Sequence, residues 1–412
     1  MKKFYIKTLG CKVNQYEAQA IRERFEKLGL KEVGLGACAD FSVVNTCTVT
    51  QSADKKSRYA IRQAIRENKN SKVIVTGCMS KNDALKFSDS INGIDYIIPK
   101  SFFADGITRH CGHTRAFVKI QDGCNFNCSF CKVSLVRGRS RSRTIPEILG
   151  ETKRIVDRGF KEIVLTGVCL GSFGLESSCR ENLVKLIDAL EIIPGLERIR
   201  LSSIEPKLIT PQLIELLAQS NKLCHHLHIP LQSADNAILK AMNRHYNSED
   251  YIRIIESIRS KAFDVGITTD VIVGFPGEER SNFENTLKVL KVIKPLAVHR
   301  FVYSPREGTL AARNLGFSSG KSEVDIRMEE LKIAADEFSL QFRNIFKNKE
   351  LHVLVEEENK GCLAGYSSNY IWINIPGETQ GLNKIYSVKV TEVEKDSTRA
   401  KIVADGKSEN RS

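Results

Sequence analysis

The 412-residue chain has no apolar run approaching the roughly 20 residues that cross a bilayer, which excludes a membrane-spanning helix. Its start, MKKFYIKTLGC, is basic but lacks the apolar core of a secretory signal, so a cytoplasmic protein with no membrane partner is expected. In that setting the 12 cysteines point to metal or thiol chemistry rather than to a disulfide framework. Also missing is a second CxxC pair, the usual partner of the first in a structural zinc knuckle. Acidic residues are in short supply, 49 against 62 Lys and Arg, and the resulting net charge of +13 points to a polyanionic partner such as RNA or DNA. The excess is absent from residues 346–412, which hold ten Lys or Arg and ten Asp or Glu, so it belongs to the body of the chain.

What is present is a cysteine triplet. Cys124, Cys128 and Cys131 lie in QDGCNFNCSFCK, a CxxxCxxC spacing within one loop. Three thiolates hold a cubane iron-sulfur cluster and leave its fourth iron free for another ligand. Three more cysteines stand at strand ends. The runs FYIKTLG, FSVVNT and KVIVTG alternate with helical patterns near 15–28 and 52–68, which predicts a parallel sheet. Cys11, Cys47 and Cys78 each follow one of these strands and so share the carboxyl edge, where open α/β sheets bind ligands. Their grouping predicts a second three-cysteine cluster.

From about residue 112 to 335 the strand-helix pattern repeats six times, through AFVKIQDG, EIVLTGV, RIRLSSI, HLHIPLQS, TTDVIVGFPGE and VHRFVYSP. Right-handed crossovers predict a barrel-like parallel sheet with the CxxxCxxC loop at its carboxyl mouth. Beyond a charged helix the runs LHVLVEEE, GYSSNYIWINIP, IYSVKVTEVE and RAKIVA read as a small antiparallel barrel, and residues 405–412 as a polar tail.

With these residues in view, the chain resembles the radical S-adenosylmethionine (SAM) methylthiotransferases. The resemblance rests on TLGCKVNQYE, NTCTVT, VTGC, TRAFVKIQDGCNFNCSFC, LTGV, HLHIPLQS, VGFPGE and GYSSNYI, similar in content and in order. It implies an α/β protein of three parts: an amino-terminal methylthiotransferase domain over 1–105, a partial (β/α)6 radical SAM barrel over 110–340 and an RNA-gripping TRAM barrel over 345–406. It implies two 4Fe-4S clusters and SAM as cofactors, with Cys124, Cys128 and Cys131 at the SAM-cleaving cluster and Cys11, Cys47 and Cys78 at the sulfur-bearing one. TLGCKVNQYE and NTCTVT look most like the branch that acts on N6-threonylcarbamoyladenosine at position 37 of tRNA. Branches acting on isopentenyl-adenosine or on a ribosomal-protein aspartate are the alternatives, and a non-catalytic iron-sulfur RNA-binding protein is an alternative of another class. The implied partners are the tRNA anticodon stem-loop, a sulfur donor and an electron donor such as a flavodoxin or ferredoxin.

The chain departs from the resembled pattern at Ser134, His225 and Ala234, where proline, proline and glycine are expected, and at Cys169, where Asn or His is expected. Thr166 and Gly167 end the second barrel strand, Ser203 and Glu205 follow the third and Gln232 the fourth, so these are candidates to hold SAM, with Gly274 of GFPG against its adenine. Arg137, Arg139, Arg141 and Arg143 alternate after the cluster loop and, if extended, would present one cationic face to tRNA phosphates. Tyr366 and Tyr370, with Trp372 and Tyr386, are candidates to stack on unpaired bases. His226 and His228 face one side of a strand; inward polar packing is expected there, a metal pair with Cys224 being the alternative.

Overall fold

The computed structural model describes residues 1–79, 91–99, 106–176, 182–314, 320–359, 361–377 and 381–403; the polar tail lies outside them. The first sheet is built from β1 (Lys3–Thr8), β2 (Lys31–Glu32), β3 (Phe41–Thr46), β4 (Lys72–Gly77) and β5 (Tyr96–Ile97). All pairs are parallel, in the order β2-β1-β3-β4-β5. Every residue of β3 and β4 after the first is buried, as expected of parallel strands covered on both faces. The crossovers are α1 (Lys12–Lys27) and α2 (Gln51–Glu67), the second capped by Thr50, whose side chain accepts from Ala53 N at 3.1 Å.

The central part contains β6 (Arg115–Lys119), β7 (Gln121–Asp122), β8 (Arg141–Ser142), β9 (Glu162–Thr166), β10 (Arg198–Leu201), β11 (His226–His228), β12 (Gly266–Val273) and β13 (Ala297–Val302). Two parallel sheets, β6-β9-β10 and β11-β12-β13, are joined by the bridges Ile199 to Leu223 and Ser203 to His228. Six parallel strands thus follow one another in sequence order as an open barrel, and the antiparallel β7-β8 pair frames the cysteine loop. Alternation sorts the faces. Ile163, Leu165, Ile199, Leu201, Leu227 and Ile229 pack on the surrounding helices, while Glu162, Arg198, Arg200, His226 and His228 face the interior.

The third part is a closed barrel of β14 (Glu350–Asn359), β15 (Cys362–Ser367), β16 (Trp372–Pro376), β17 (Ile385–Val393) and β18 (Thr398–Ile402), in the order β14-β15-β16-β18-β17. GYSSNYIWINIP, expected as one run, is two strands. A turn in which Tyr370 takes φ 70° and donates its N–H to Ser367 O at 3.1 Å separates them. That turn enters the open barrel at the amino ends of its strands. Arg198 donates to the carbonyls of His352 (2.6 Å) and Tyr366 (3.1 Å), and Arg200 to those of Ser367 (3.1 Å) and Ser368 (3.0 Å). Arg200 also pairs with the buried Glu162 at 2.6 Å. Removing one partner from such a buried set costs about 3–5 kcal/mol, so this seam fixes the terminal barrel against the central one.

Candidate cluster and cofactor sites

Cys11, Cys47 and Cys78 meet at the carboxyl edge of the first sheet. Cys11 is the N-cap of α1. Cys47 is clamped by Ser57, which accepts from its N–H at 3.0 Å and donates to its carbonyl at 2.8 Å. Asn14 gathers the loops, donating to the carbonyls of Leu9 (2.7 Å) and Thr46 (2.8 Å), while its Oδ1 lies 3.9 Å from Cys11 Sγ and 3.6 Å from Cys78 Sγ. The glycines in TLGC and VTGC are required by close approach: a Cβ on Gly10 would stand 2.7 Å from Cys47 Cβ, and one on Gly77 2.4 Å from Thr46 O. Burial pushes the Cys47 thiol up.

Cys124, Cys128 and Cys131 occupy the loop at the mouth of the open barrel. Backbone N–H groups of Phe126 and Val133 reach Cys124 Sγ and Cys131 Sγ at 3.4 Å each. Arg244 donates to Cys128 Sγ at 3.2 Å and pairs with Glu205 at 2.8 Å. Burial pushes Cys131 up to about 12, whereas a hydrogen bond from Cys169 brings Cys124 down to about 7. A cavity of about 330 Å³ opens beside Cys124, lined by Asn125, Asn127, Ser134, Gly138 and Arg139.

Both triplets fit iron-sulfur clusters better than single ions. Tetrahedral zinc with sulfur bonds of about 2.3 Å brings sulfurs within about 3.8 Å of one another. Among the described residues neither triplet draws its three sulfurs within 4.8 Å of one another, which is too wide for that single-ion geometry. The N–H and guanidinium groups aimed at the sulfurs suit thiolates carrying shared negative charge. For SAM, the side-chain oxygens of Thr166 and Ser202 are buried without a hydrogen-bond partner at the carboxyl ends of β9 and β10. Such orphaned groups suit a polar ligand seated there.

The other expected SAM residues lie around this mouth. Gly167 packs where a Cβ would stand 2.9 Å from Gln121 Oε1, Ser203 bridges to His228, and Gln232, with φ 64°, bridges to Val271. Gly274 directly follows β12 with φ 75°, and an added Cβ would stand 2.8 Å from Val324 Cγ2 of the helix Lys321–Asn344, so both backbone conformation and helix packing demand glycine there.

The arginine run is corrected. It does not form one extended cationic face: Arg137 closes the helix Val133–Arg137 while Arg141 begins β8, and of the four only Arg139 and Arg141 are exposed. Arg137 is turned inward, 2% exposed, and pairs with Glu17 at 3.1 Å and Asp122 at 2.9 Å. Arg143 pairs with the fully buried Glu151. Tyr366 and Tyr370 are likewise corrected from free stacking platforms to seam residues. They stack on each other at 4.3 Å, Tyr370 stacks on His226 at 4.2 Å, and Arg115 and Arg200 cover their rings. His226 and His228 pack inward as expected, sharing Thr268 Oγ1 at 3.0 Å each. Sequence reasoning missed Glu17, Arg244 and Arg306, which reaches Thr48 at 3.3 Å and Asp54 at 3.7 Å across the first two parts. Single charged residues outside the cysteine motifs carry no spacing signal, although Asn14 and Glu17 do lie within TLGCKVNQYE.

Comparison with known proteins follows the same division. Residues 118–290 match the Radical SAM superfamily, 3–99 the Uncharacterized protein family UPF0004 and 346–403 the TRAM domain. The threonylcarbamoyladenosine tRNA methylthiotransferase MtaB of Bacillus subtilis is 35% identical, with 93% of this chain and 92% of the relative covered. Its counterpart from Thermotoga maritima is 35% identical over 98% of each chain. The tRNA-2-methylthio-N(6)-dimethylallyladenosine synthase of Clostridium novyi is 31% identical over 98% of this chain and 97% of its own. Among solved structures, the radical SAM methyltransferase TsrM from Kitasatospora setae aligns with a TM-score of 0.52 at 13% identity, covering 74% of this chain and 77% of TsrM, a likeness of fold.

Proposed function

The chain belongs to the radical SAM methylthiotransferase family, in its MtaB-like branch, and from that premise we propose that it adds a methylthio group to C2 of N6-threonylcarbamoyladenosine at position 37 of tRNA. The observation that carries this reading is that Arg137, at the end of the helix that follows one cysteine triplet, touches Cys78 of the other at 3.1 Å. Two such sites side by side suit a reaction that needs both a radical and a sulfur.

When bound, a 4Fe-4S cluster at Cys124, Cys128 and Cys131 supplies the electron that cleaves SAM, and one at Cys11, Cys47 and Cys78 carries the sulfur. The chain's own groups do the rest. Arg244 neutralises Cys128 and holds Glu205, burial drawing that carboxyl upward against the guanidinium's pull. Thr166, Gly167, Ser203, Glu205 and Gln232 line the place for SAM, with Gly274 at the end of β12 against its adenine. Arg137 balances the thiolate at Cys78, and Arg139 and Arg141 meet the anticodon stem-loop at the mouth. In this reading residues 1–105, 110–340 and 345–406 divide sulfur handling, radical chemistry and RNA grip. An external electron donor of flavodoxin or ferredoxin type, a sulfur donor and a cytoplasmic setting complete it; no helix among the described residues is long and apolar enough to cross a membrane.

The dimethylallyladenosine synthases among the relatives favour isopentenyl-adenosine 37 as the second reading. Nucleoside mass spectrometry of tRNA from a host lacking its own position-37 methylthiotransferases, with and without this chain, decides between them. A methylthio form of threonylcarbamoyladenosine that depends on the chain is expected. An isopentenyl product changes the branch, and the absence of both overturns the tRNA reading.

A further inference from the structure

His228, Asp270 and His299 stand on the consecutive strands β11, β12 and β13. Asp270 and His299 are register partners, and His228 is paired with Thr268, two residues before Asp270, so all three side chains share the interior face. Asp270 Oδ1 lies 3.2 Å from His228 Nε2 and 3.1 Å from His299 Nδ1, and the three ligand atoms fall within 4.8 Å of one another. No other three His, Cys, Asp or Glu side chains among the described residues do so.

An ion bonded to nitrogen and oxygen at about 2.0–2.1 Å in tetrahedral geometry sets its ligand atoms about 3.3 Å apart. Two of the three edges already have that length. The outer contacts also suit ligation: His228 Nδ1 is engaged by Thr268 Oγ1 at 3.0 Å, which aims Nε2 at the carboxylate, as second partners of metal-bound histidines do. The two imidazoles lie face to face with centroids 5.2 Å apart. His299 is 55% exposed, so water reaches the remaining coordination positions. A cavity of about 370 Å³ at the seam with the terminal barrel, lined by His299, Arg343, Tyr370 and Trp372, adjoins that side.

We propose that His228, Asp270 and His299 form a binding site for one first-row divalent cation, zinc foremost, separate from both cysteine sites. Two imidazoles and a carboxylate with open positions match the donor set such ions take. The ion would tie β13, the free edge strand of the open barrel, to β11 and β12, bracing the edge that borders the terminal barrel.

The test uses the full chain with its iron-sulfur clusters loaded. It is equilibrated with zinc, desalted and assayed for zinc by mass spectrometry and for its coordination by absorption fine structure at the zinc edge. One zinc per chain with a nitrogen and oxygen shell at about 2.0–2.1 Å, and no sulfur at about 2.3 Å, is expected. Affinity should fall at least tenfold in His299→Ala and in Asp270→Asn, with iron content unchanged. His299 lies at the exposed edge, so its substitution remains informative where Asp270→Asn fails to fold. Absence of bound zinc, a sulfur shell, or equal zinc retention in His299→Ala overturns the proposal.

Discussion

The guanidinium of Arg137 donates from Nε to Cys78 Sγ at 3.1 Å while its Nη1 pairs with Glu17 and Asp122. One side chain therefore joins the helix after Cys131 to α1 and to the strand end that presents Cys78. Lysine keeps the charge but lacks the planar fork whose Nε and Nη1 reach these acceptors in different directions. Arg137→Lys should drop bound iron from about eight toward about four per chain, since each cubane holds four. Methylthiolation should fall about 10- to 100-fold, the usual cost of losing an outer-shell partner, while SAM cleavage persists. Iron assay and 5'-deoxyadenosine yield read this directly; full iron with unchanged product would show that the contact is dispensable.

The two triplets should separate genetically. Cys47→Ala removes a thiol from the triplet at the first sheet and leaves the barrel loop intact, so 5'-deoxyadenosine should still form while methylthio product disappears. Cys128→Ala should stop both. Product surviving in Cys47→Ala would remove the second cluster from the scheme.

The four arginines should divide into two classes. Arg139 and Arg141 are exposed, and the double change to alanine should weaken tRNA binding and flatten its logarithmic salt slope by about 1.5 to 2. Arg143 is expected to behave as a structural residue, because its removal strands the fully buried Glu151. That should cost roughly 3 kcal/mol of stability, seen in thermal unfolding, with the salt slope unchanged.

Much of the architecture was legible because periodicity reports burial. FSVVNT and KVIVTG read as strands of a parallel sheet, and they pair in parallel with every residue after the first buried. The cysteines could be grouped because strand order in a parallel sheet puts every carboxyl end on one edge. Arginines defeated the same reasoning: alternation along RGRSRSR looks like a solvated face, but Glu17 and Asp122 lie close enough in space to bury Arg137. Tyr366 and Tyr370 failed for a related reason. An aromatic on a small barrel has the same sequence signature whether it meets RNA or a neighbouring domain, and Arg115 and Arg200, which cover these rings, are 170 or more residues away in the chain. The triad of His228, Asp270 and His299 depended on register between strands, which no single-strand pattern contains.

His225, standing where proline is expected, should make the seam pH-dependent. Its Nδ1 lies 2.9 Å from Asp264 Oδ1, and its backbone N–H donates to Ser368 of the terminal barrel at 3.0 Å. The hydrogen bond His225 donates to Asp264 raises its imidazole above the ordinary value against the opposing effect of burial. Burial draws Asp264 upward, but His225 outweighs it and holds that carboxyl below its usual range. A raised histidine contributes stability in full below its unfolded value of about 6.5 and loses it as pH rises through the folded value. A depressed carboxylate contributes above about 4 and loses it as pH falls. The pair should therefore stabilise most between these limits, by under about 1 kcal/mol because both side chains are close to one-third exposed. His225→Gln should lower the unfolding temperature near pH 6 and have little effect near pH 9, where the wild-type imidazole is neutral. An equal penalty at both values would mean that His225 acts at the seam by shape alone.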